Sequence, residues 1–271
     1  MIQQCYIKNK NYYLLACTYI PDVYDKVVIL LQGYSHSMTD IDYFMTNVKN
    51  QLVKNKCAVV QFDPYGHGDS DGFIEQFSFN ILIDDLITVT KWVELQFGIK
   101  PTFVTRGLFE LAIYKTDIHN LFDKCIVINP VNLSYEEYQK IYKYTKGSER
   151  IVDFNKWYQN VQTCDKKIVE DLYYMFGAKL KNLQGQYLNL NILKIFLSLV
   201  KDRKMPVPIN VYYVYSKSEG NIKLFNNCPF PCEYTLKDFS DYGALPRNPD
   251  WHLRIIDYIV KCCRNNSTLN V

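Results

Sequence analysis

The sequence predicts an α/β fold: a mostly parallel central sheet of about eight strands, helices on both faces, and one long helical insertion. Three observations lead there. From Val27 to Pro130, short apolar runs closed by Gly, Pro or Asp alternate with segments of helical periodicity. Over 131–209 that alternation lapses into helical spacing alone, and it resumes from 210. The length, 271 residues, suits one large domain carrying an insert. The expected division is a core of 1–130 with 210–271 and a helical cap, or lid, of 131–209.

Tyr6-Ile7 and Tyr12–Thr18 read as two short strands, with Lys8-Asn9-Lys10-Asn11 as the turn. Val27–Leu31 is a continuous β-branched and apolar run ending at Gln32-Gly33, the pattern of a strand buried on both faces. Residues 40–55 carry helical spacing through Ile41, Phe44, Met45, Val48 and Leu52. Cys57–Phe62 is the next strand, stopped by Asp63-Pro64, and Ile81–Phe97 is a helix. Phe103–Thr105 reads as a strand, Leu108–Ile118 as a helix, and Cys125–Ile128 as a strand closed by Asn129-Pro130. Within the insert, Tyr135–Tyr144, Ile151–Gln162, Lys167–Met175 and Leu190–Val200 are expected helices. Strands follow at Val211–Tyr215 and near Glu233–Leu236. The last helix, about Asn248–Cys262, opens with Asn as its cap and Pro249 in its first turn.

Composition excludes several classes. Hydrophobic residues make up 48% and charged residues 22%, an ordinary globular balance that argues against disorder. A net charge of +3 gives no electrostatic footprint for nucleic acid. No apolar run approaches the roughly 20 residues of a membrane helix, and the start of the chain lacks the basic and apolar regions of a signal peptide. The nine cysteines are scattered and odd in number, which suits reduced thiols in a cytoplasm. Cys228-x-x-x-Cys232 and Cys262-Cys263 lack the paired short clusters of a strong zinc site. Neither metal nor cofactor is expected.

Two motifs carry a family resemblance. Val59-Val-Gln-Phe-Asp-Pro-Tyr-Gly-His-Gly-Asp-Ser-Asp-Gly72 joins a strand ending in Asp to a Gly-His-Gly-x-Ser loop, and Leu31-Gln32-Gly33 stands upstream of it. With the cap-sized insert, this resembles the α/β-hydrolase superfamily, in particular its serine-hydrolase and aminopeptidase-like branch with a helical cap. The resemblance implies that Gln32-Gly33 occupies the place of the family's His-Gly in the oxyanion loop. It also implies that His67 is a loop-packing residue, since the glycines around it serve a tight turn.

The resemblance further implies a nucleophile in Gly-x-Ser-x-Gly on a strained strand-to-helix turn. This chain reads Thr105-Arg106-Gly107-Leu108-Phe109 there, with Gly107 at the apex. Sliding the motif does not help, because no Ser or Cys lies between Asn80 and Lys124. The acid position falls on Glu219 and the base position, counted back from Pro249, on Tyr242. His252 lies inside the last helix, the wrong place for the base. A nucleophile activated by an oriented base is therefore missing two of its three members.

The expectation is a hydrolase-like protein that has lost serine-hydrolase catalysis and binds a small apolar or acyl ligand between core and cap, or a protein partner. Gly33, Tyr34, Ser35, His36, Arg106 and Leu108 would line the ligand site. Trp157, Tyr158, Tyr173, Tyr174, Phe176 and Phe196 could add a cap wall. The rival expectation is an active hydrolase or acyltransferase with a relocated site around Ser35, His36 and Glu219.

Overall fold

A computed structural model describes residues 1–34, 37–38, 43–115, 118, 120–128, 151–153, 187–189, 210–216, 234–236 and 249–264. Strands β1 (Ile2–Asn9) and β2 (Tyr12–Tyr19) form an antiparallel hairpin in unbroken register, from Ile2 opposite Tyr19 to Asn9 opposite Tyr12. Then come β3 (Lys26–Leu31), α1 (Phe44–Lys54), β4 (Cys57–Phe62), α2 (Phe79–Phe97) and β5 (Thr102–Arg106). A 3-10 helix over Gly107–Tyr114 leads to β6 (Lys124–Ile128). A short 3-10 turn, Ile74–Gln76, precedes α2, and beyond β6 the described elements are β7 (Ile151–Asp153), β8 (Tyr187–Asn189), β9 (Asn210–Ser216), β10 (Tyr234–Leu236) and α3 (Pro249–Arg264).

Eight strands make one sheet in the order β1-β2-β4-β3-β5-β6-β9-β10. β1 and β2 are antiparallel to their neighbours, and every pairing from β4 to β10 is parallel. The continuous apolar runs acquire their reason here, because alternate residues feed two separate cores. Val27, Ile29, Leu31, Phe103 and Val127 face α2 and the 3-10 helix. Val28, Leu30, Val59, Val104 and Ile126 pack instead with Phe44, Met45, Val48 and Leu52 of α1 and with Ile255 and Ile259 of α3. Ser78 caps α2 by accepting from the Ile81 amide at 3.3 Å, and Gly98 ends it in the left-handed region.

Two expectations need correction. The segment read as a helix over Leu108–Ile118 is a 3-10 helix beginning at Gly107 and ending at Tyr114. All side chains from Phe109 to Tyr114 are buried, so the segment lacks the polar outer face of an ordinary surface helix. The insert was expected to hold helices alone, yet Ile151–Asp153 pairs antiparallel with Tyr187–Asn189. Ile151, read as a helix start, begins a strand. The rest of the expected cap helices, and the cap aromatics from Trp157 to Phe196, lie outside the described residues. Six cysteines are described, at 5, 17, 57, 125, 262 and 263, and all are free thiols.

Candidate functional site

The strand order positions the site. From β3 the chain crosses by α1 to β4 on one side; from β4 it returns by α2 to β5 on the other side. Connections leaving neighbouring β3 and β5 therefore diverge to opposite faces of the sheet, with α1 in one core and the 3-10 helix in the other. In open α/β sheets the crevice at such a switch point, outside the carboxyl ends of the strands, is where ligands bind. Gln32-Gly33-Tyr34 and Arg106-Gly107 are the residues that border it.

Gly107 follows β5 directly with φ +61°. The chain turns there from strand to 3-10 helix, and a residue without a Cβ enters the left-handed region at no steric cost. A Cβ built on Gly107 meets no atom within 4 Å among the described residues. The apex is a sharp turn that carries no side chain. Thr105, the nearest hydroxyl, is fully buried, and its Oγ has no hydrogen-bond partner among the described residues. A hydroxyl with no base to take its proton is a poor nucleophile.

Across the crevice, Leu31 pairs with Thr105, so Gln32 comes next to Arg106. Gln32 and Arg106 are both buried. Tyr34 is buried as well, and its ring meets His67 and Phe77 at 5.6 Å and Phe109 at 6.3 Å. His67 itself lies 4.8 Å from Phe77 and 5.7 Å from Phe109, with Nδ1 3.2 Å from the Tyr65 carbonyl. Enclosed by three aromatic rings and tied to its own loop, His67 packs the turn. Phe109 belongs to the same cluster and does not stand over Gly107.

Asp63, at the carboxyl end of β4, ties the two loops together. Oδ1 accepts from the Met38 amide at 2.6 Å and Oδ2 from the Asp69 amide at 3.4 Å. Its backbone carbonyl accepts from the Ser70 hydroxyl at 2.5 Å, and Ser70 Oγ accepts in turn from the Leu15 amide at 2.8 Å. Burial pushes the Asp63 carboxyl up to about 6, against the pull of those two amides. In the sequence Asp63 is legible only as a strand end; its buried carboxylate anchors the loop after β3.

Of the other expected site residues, Ser35, His36, Glu219 and Tyr242 lie outside the described residues. Leu108 is placed by its backbone, in the first turn of the 3-10 helix. His252 sits in the first turn of α3. Among the described residues no group of His, Cys, Asp and Glu is arranged to hold a metal ion, and no helix is long and apolar enough to cross a membrane.

A sheet of this order, with its turn at Gly107 and its crevice between β3 and β5, is an α/β-hydrolase fold, and solved structures agree. Est1E from Butyrivibrio proteoclasticus, in a structure with ferulic acid bound, superposes with a TM-score of 0.64 at 13% identity, over 95% of this chain and 98% of that one. The monoacylglycerol lipase of Paleococcus ferrophilus gives 0.63 at 13% identity, over 93% of this chain and 98% of that one. A soluble variant of the monoglyceride lipase of Saccharomyces cerevisiae, in complex with a substrate analogue, gives 0.64 at 12% identity, over 97% and 94%. No protein-family model and no curated protein matches the sequence. At these identities the likeness is one of fold.

Proposed function

We propose that this chain is an α/β-hydrolase-fold protein without serine-hydrolase catalysis, which holds a small apolar or acyl ligand between its core and a cap of 131–209. The observation that carries the reading is Gly107. It has the left-handed turn of a nucleophile elbow and no side chain to attack with. Glu219 keeps the acid position and Tyr242 replaces the base, an exchange of imidazole for a phenol whose ordinary pKa is about 10. Gly33, Tyr34, Ser35, His36, Arg106 and Leu108 border the ligand. A protein partner on the same mouth is an accessory role compatible with this reading. The six free thiols described suit a cytoplasmic setting.

Treatment of the purified chain with a fluorophosphonate probe and with p-nitrophenyl esters tests the loss of catalysis. The expected result is no labelling and no turnover above the uncatalysed rate. Robust hydrolysis abolished by Ser35→Ala or His36→Ala would overturn the proposal in favour of a relocated site.

A further inference from the structure

We infer that this chain forms a twofold-symmetric dimer through β1, which pairs antiparallel with β1 of a second copy about an axis at Cys5. The inference stands on the β1–β2 hairpin alone and is independent of the ligand-binding reading above.

β1 ends the sheet on one side. Met1 and Ile20 exchange both backbone hydrogen bonds, the Ile20 amide donating to the Met1 carbonyl at 2.8 Å and the Met1 nitrogen to the Ile20 carbonyl at 2.5 Å. Bonded and non-bonded pairs alternate along an antiparallel ladder, so in this register Gln3, Cys5, Ile7 and Asn9 turn their backbone groups toward β2. Ile2, Gln4, Tyr6 and Lys8 turn theirs outward, where the sheet has no further strand. Such an edge is a template for another strand, and proteins that keep an edge single break it with Pro, a bulge or charges. β1 runs eight residues in unbroken register with no Pro and one charge, Lys8.

The side chains beside this edge are apolar and uncovered. Ile2, Gln4, Tyr6 and Lys8 share a face with Tyr13 of β2, which stands opposite Lys8. Ile2 is 74% exposed, Tyr6 60% and Tyr13 45%, and none of the three belongs to the core that α1 and α3 close.

The strand that fits is β1 itself. In one antiparallel register all four outward residues meet outward residues of the copy: Ile2 meets its Lys8 and Gln4 meets its Tyr6, each pair occurring twice. A shift of two residues either way keeps only three of the four pairs. The charges agree with this register. Each Lys8 lays its aliphatic stem on Ile2 of the other copy, and the two Lys8 stand roughly 20 Å apart, well beyond the screening length of about 8 Å. The two Tyr6 are diagonal neighbours across the axis, within reach of each other's rings. An isologous contact of this kind uses up the edge and closes at two chains.

Sedimentation equilibrium of the purified chain at micromolar concentration should give twice the chain mass. Gln4→Pro removes an outward N–H, leaves the ladder to β2 intact, and should raise the dissociation constant at least about thirtyfold, the worth of the two hydrogen bonds lost from the symmetric pair. Gln4→Lys with Tyr6→Lys sets like charges directly opposite and should give monomer, whereas Gln4→Glu with Tyr6→Lys sets opposite charges there and should restore the dimer. Both side chains are exposed, and melting curves confirm that the variants fold. Diamide, which takes two electrons and two protons from a pair of thiols, should link the dimer through Cys5, because a non-hydrogen-bonded pair brings its Cα atoms to about 4.5 Å, within disulfide range. The link should vanish in Cys5→Ser and persist in Cys17→Ser. A monomer at every concentration overturns the inference, and so does a dimer indifferent to the folded edge variants. A dimer that diamide does not link through Cys5 overturns the axis and register inferred here. If Gln4→Pro does not fold, the two double variants decide.

Discussion

The Tyr12 hydroxyl donates to Oδ1 of Asp85 across 2.7 Å, joining β2 to the buried face of α2. The same oxygen accepts from Asn9 Nδ2 at 2.8 Å, and Oδ2 accepts from the Tyr65 amide at 2.9 Å. One fully buried carboxylate thus ties the hairpin, the first helix of the α2 core and the loop after β4 to one point, 73 residues apart in chain for the Tyr12 contact. That loop carries His67 and, through Asp63, holds the loop after β3. The network holds that loop to the hairpin and to α2.

Asp85 makes a pH-dependent contribution with a defined sign. Burial pushes its carboxyl up to about 6, despite the three donors that pull it down. In the unfolded chain an Asp titrates near 3.9. Between these values the folded state binds more protons than the unfolded one, so this contribution is full below about pH 4 and is lost as pH rises through about 6. Asp85→Asn cannot titrate, and its amide sets a donor against donors. It should be less stable than the wild type by about 2–3 kcal/mol at neutral pH, with the gap widening by about 2–3 kcal/mol as pH falls from 7 to 4. Urea unfolding across that range measures the gap. A constant gap would show that the folded carboxyl does not titrate there.

Gly68→Ala should be severely destabilising, by about 3 kcal/mol or more. Its φ is +51°, and the added carbon would overlap Asp63 Oδ2 at 1.9 Å, forcing the carboxylate off the Met38 amide. Gly98→Ala is the matched control. Its φ of +65° is equally left-handed, but nothing described lies within 4 Å, so only the backbone cost of about 1 kcal/mol applies. Equal losses in the two variants, by thermal or urea unfolding, would remove the steric role assigned to Asp63.

Much of this arrangement is legible in sequence, and the exceptions have physical causes. The runs Val27–Leu31, Cys57–Phe62 and Cys125–Ile128 announce strands because both faces are covered, and the alternation with helices fixes parallel pairing. β1 reads short, as Tyr6-Ile7, because it is the edge strand. Ile2, Gln4, Tyr6 and Lys8 all face solvent, so its pattern emerges only beside β2. β7 and β8 span three residues each, too short for any periodicity to register. Gly107 was found from its place after a strand. Gln32 was named only as a substitute within the oxyanion motif, and no sequence pattern shows that its amide lacks a partner among the described residues. Asp85 left a signal that went unused: it falls on the Leu82, Leu86, Val89 stripe of α2, where a charge needs a buried partner.

Asp63→Ala should loosen the loop after β3 without unfolding the sheet. The change removes the acceptor at 2.6 Å from the Met38 amide and the weaker one at 3.4 Å from Asp69. A buried amide without its acceptor exchanges readily. Hydrogen exchange at Met38 should therefore accelerate by about tenfold or more, the equivalent of about 1.4 kcal/mol of lost local protection. Amides in β5 and β6 should stay within about threefold of the wild type, since neither strand contacts that carboxylate. Uniform acceleration across the sheet would mean that Asp63 supports the fold globally and has no special hold on the site's loop.

The last prediction concerns whether catalysis can be put back. Gly107→Ser should fold, because the space at the apex admits a Cβ. Holding a serine at φ +61° should cost on the order of 1–3 kcal/mol. The single variant should remain inactive toward p-nitrophenyl esters and unlabelled by fluorophosphonate, since a serine without a base is no better a nucleophile than the buried Thr105. Tyr242→His alone should be equally silent. Members of a triad act as a unit, so their effects are far from additive. Gly107→Ser with Tyr242→His, keeping Glu219, is the combination expected to show measurable ester hydrolysis, and Glu219→Ala added to it should remove most of the gain. The packing of Phe109 favours this outcome, because its ring is engaged with Tyr34, His67 and Phe77 and lies more than 4 Å from a Cβ at residue 107. Activity in Gly107→Ser alone would show that a base other than residue 242 faces the apex. Labelling of the wild type at any residue would show that the nucleophile was never lost.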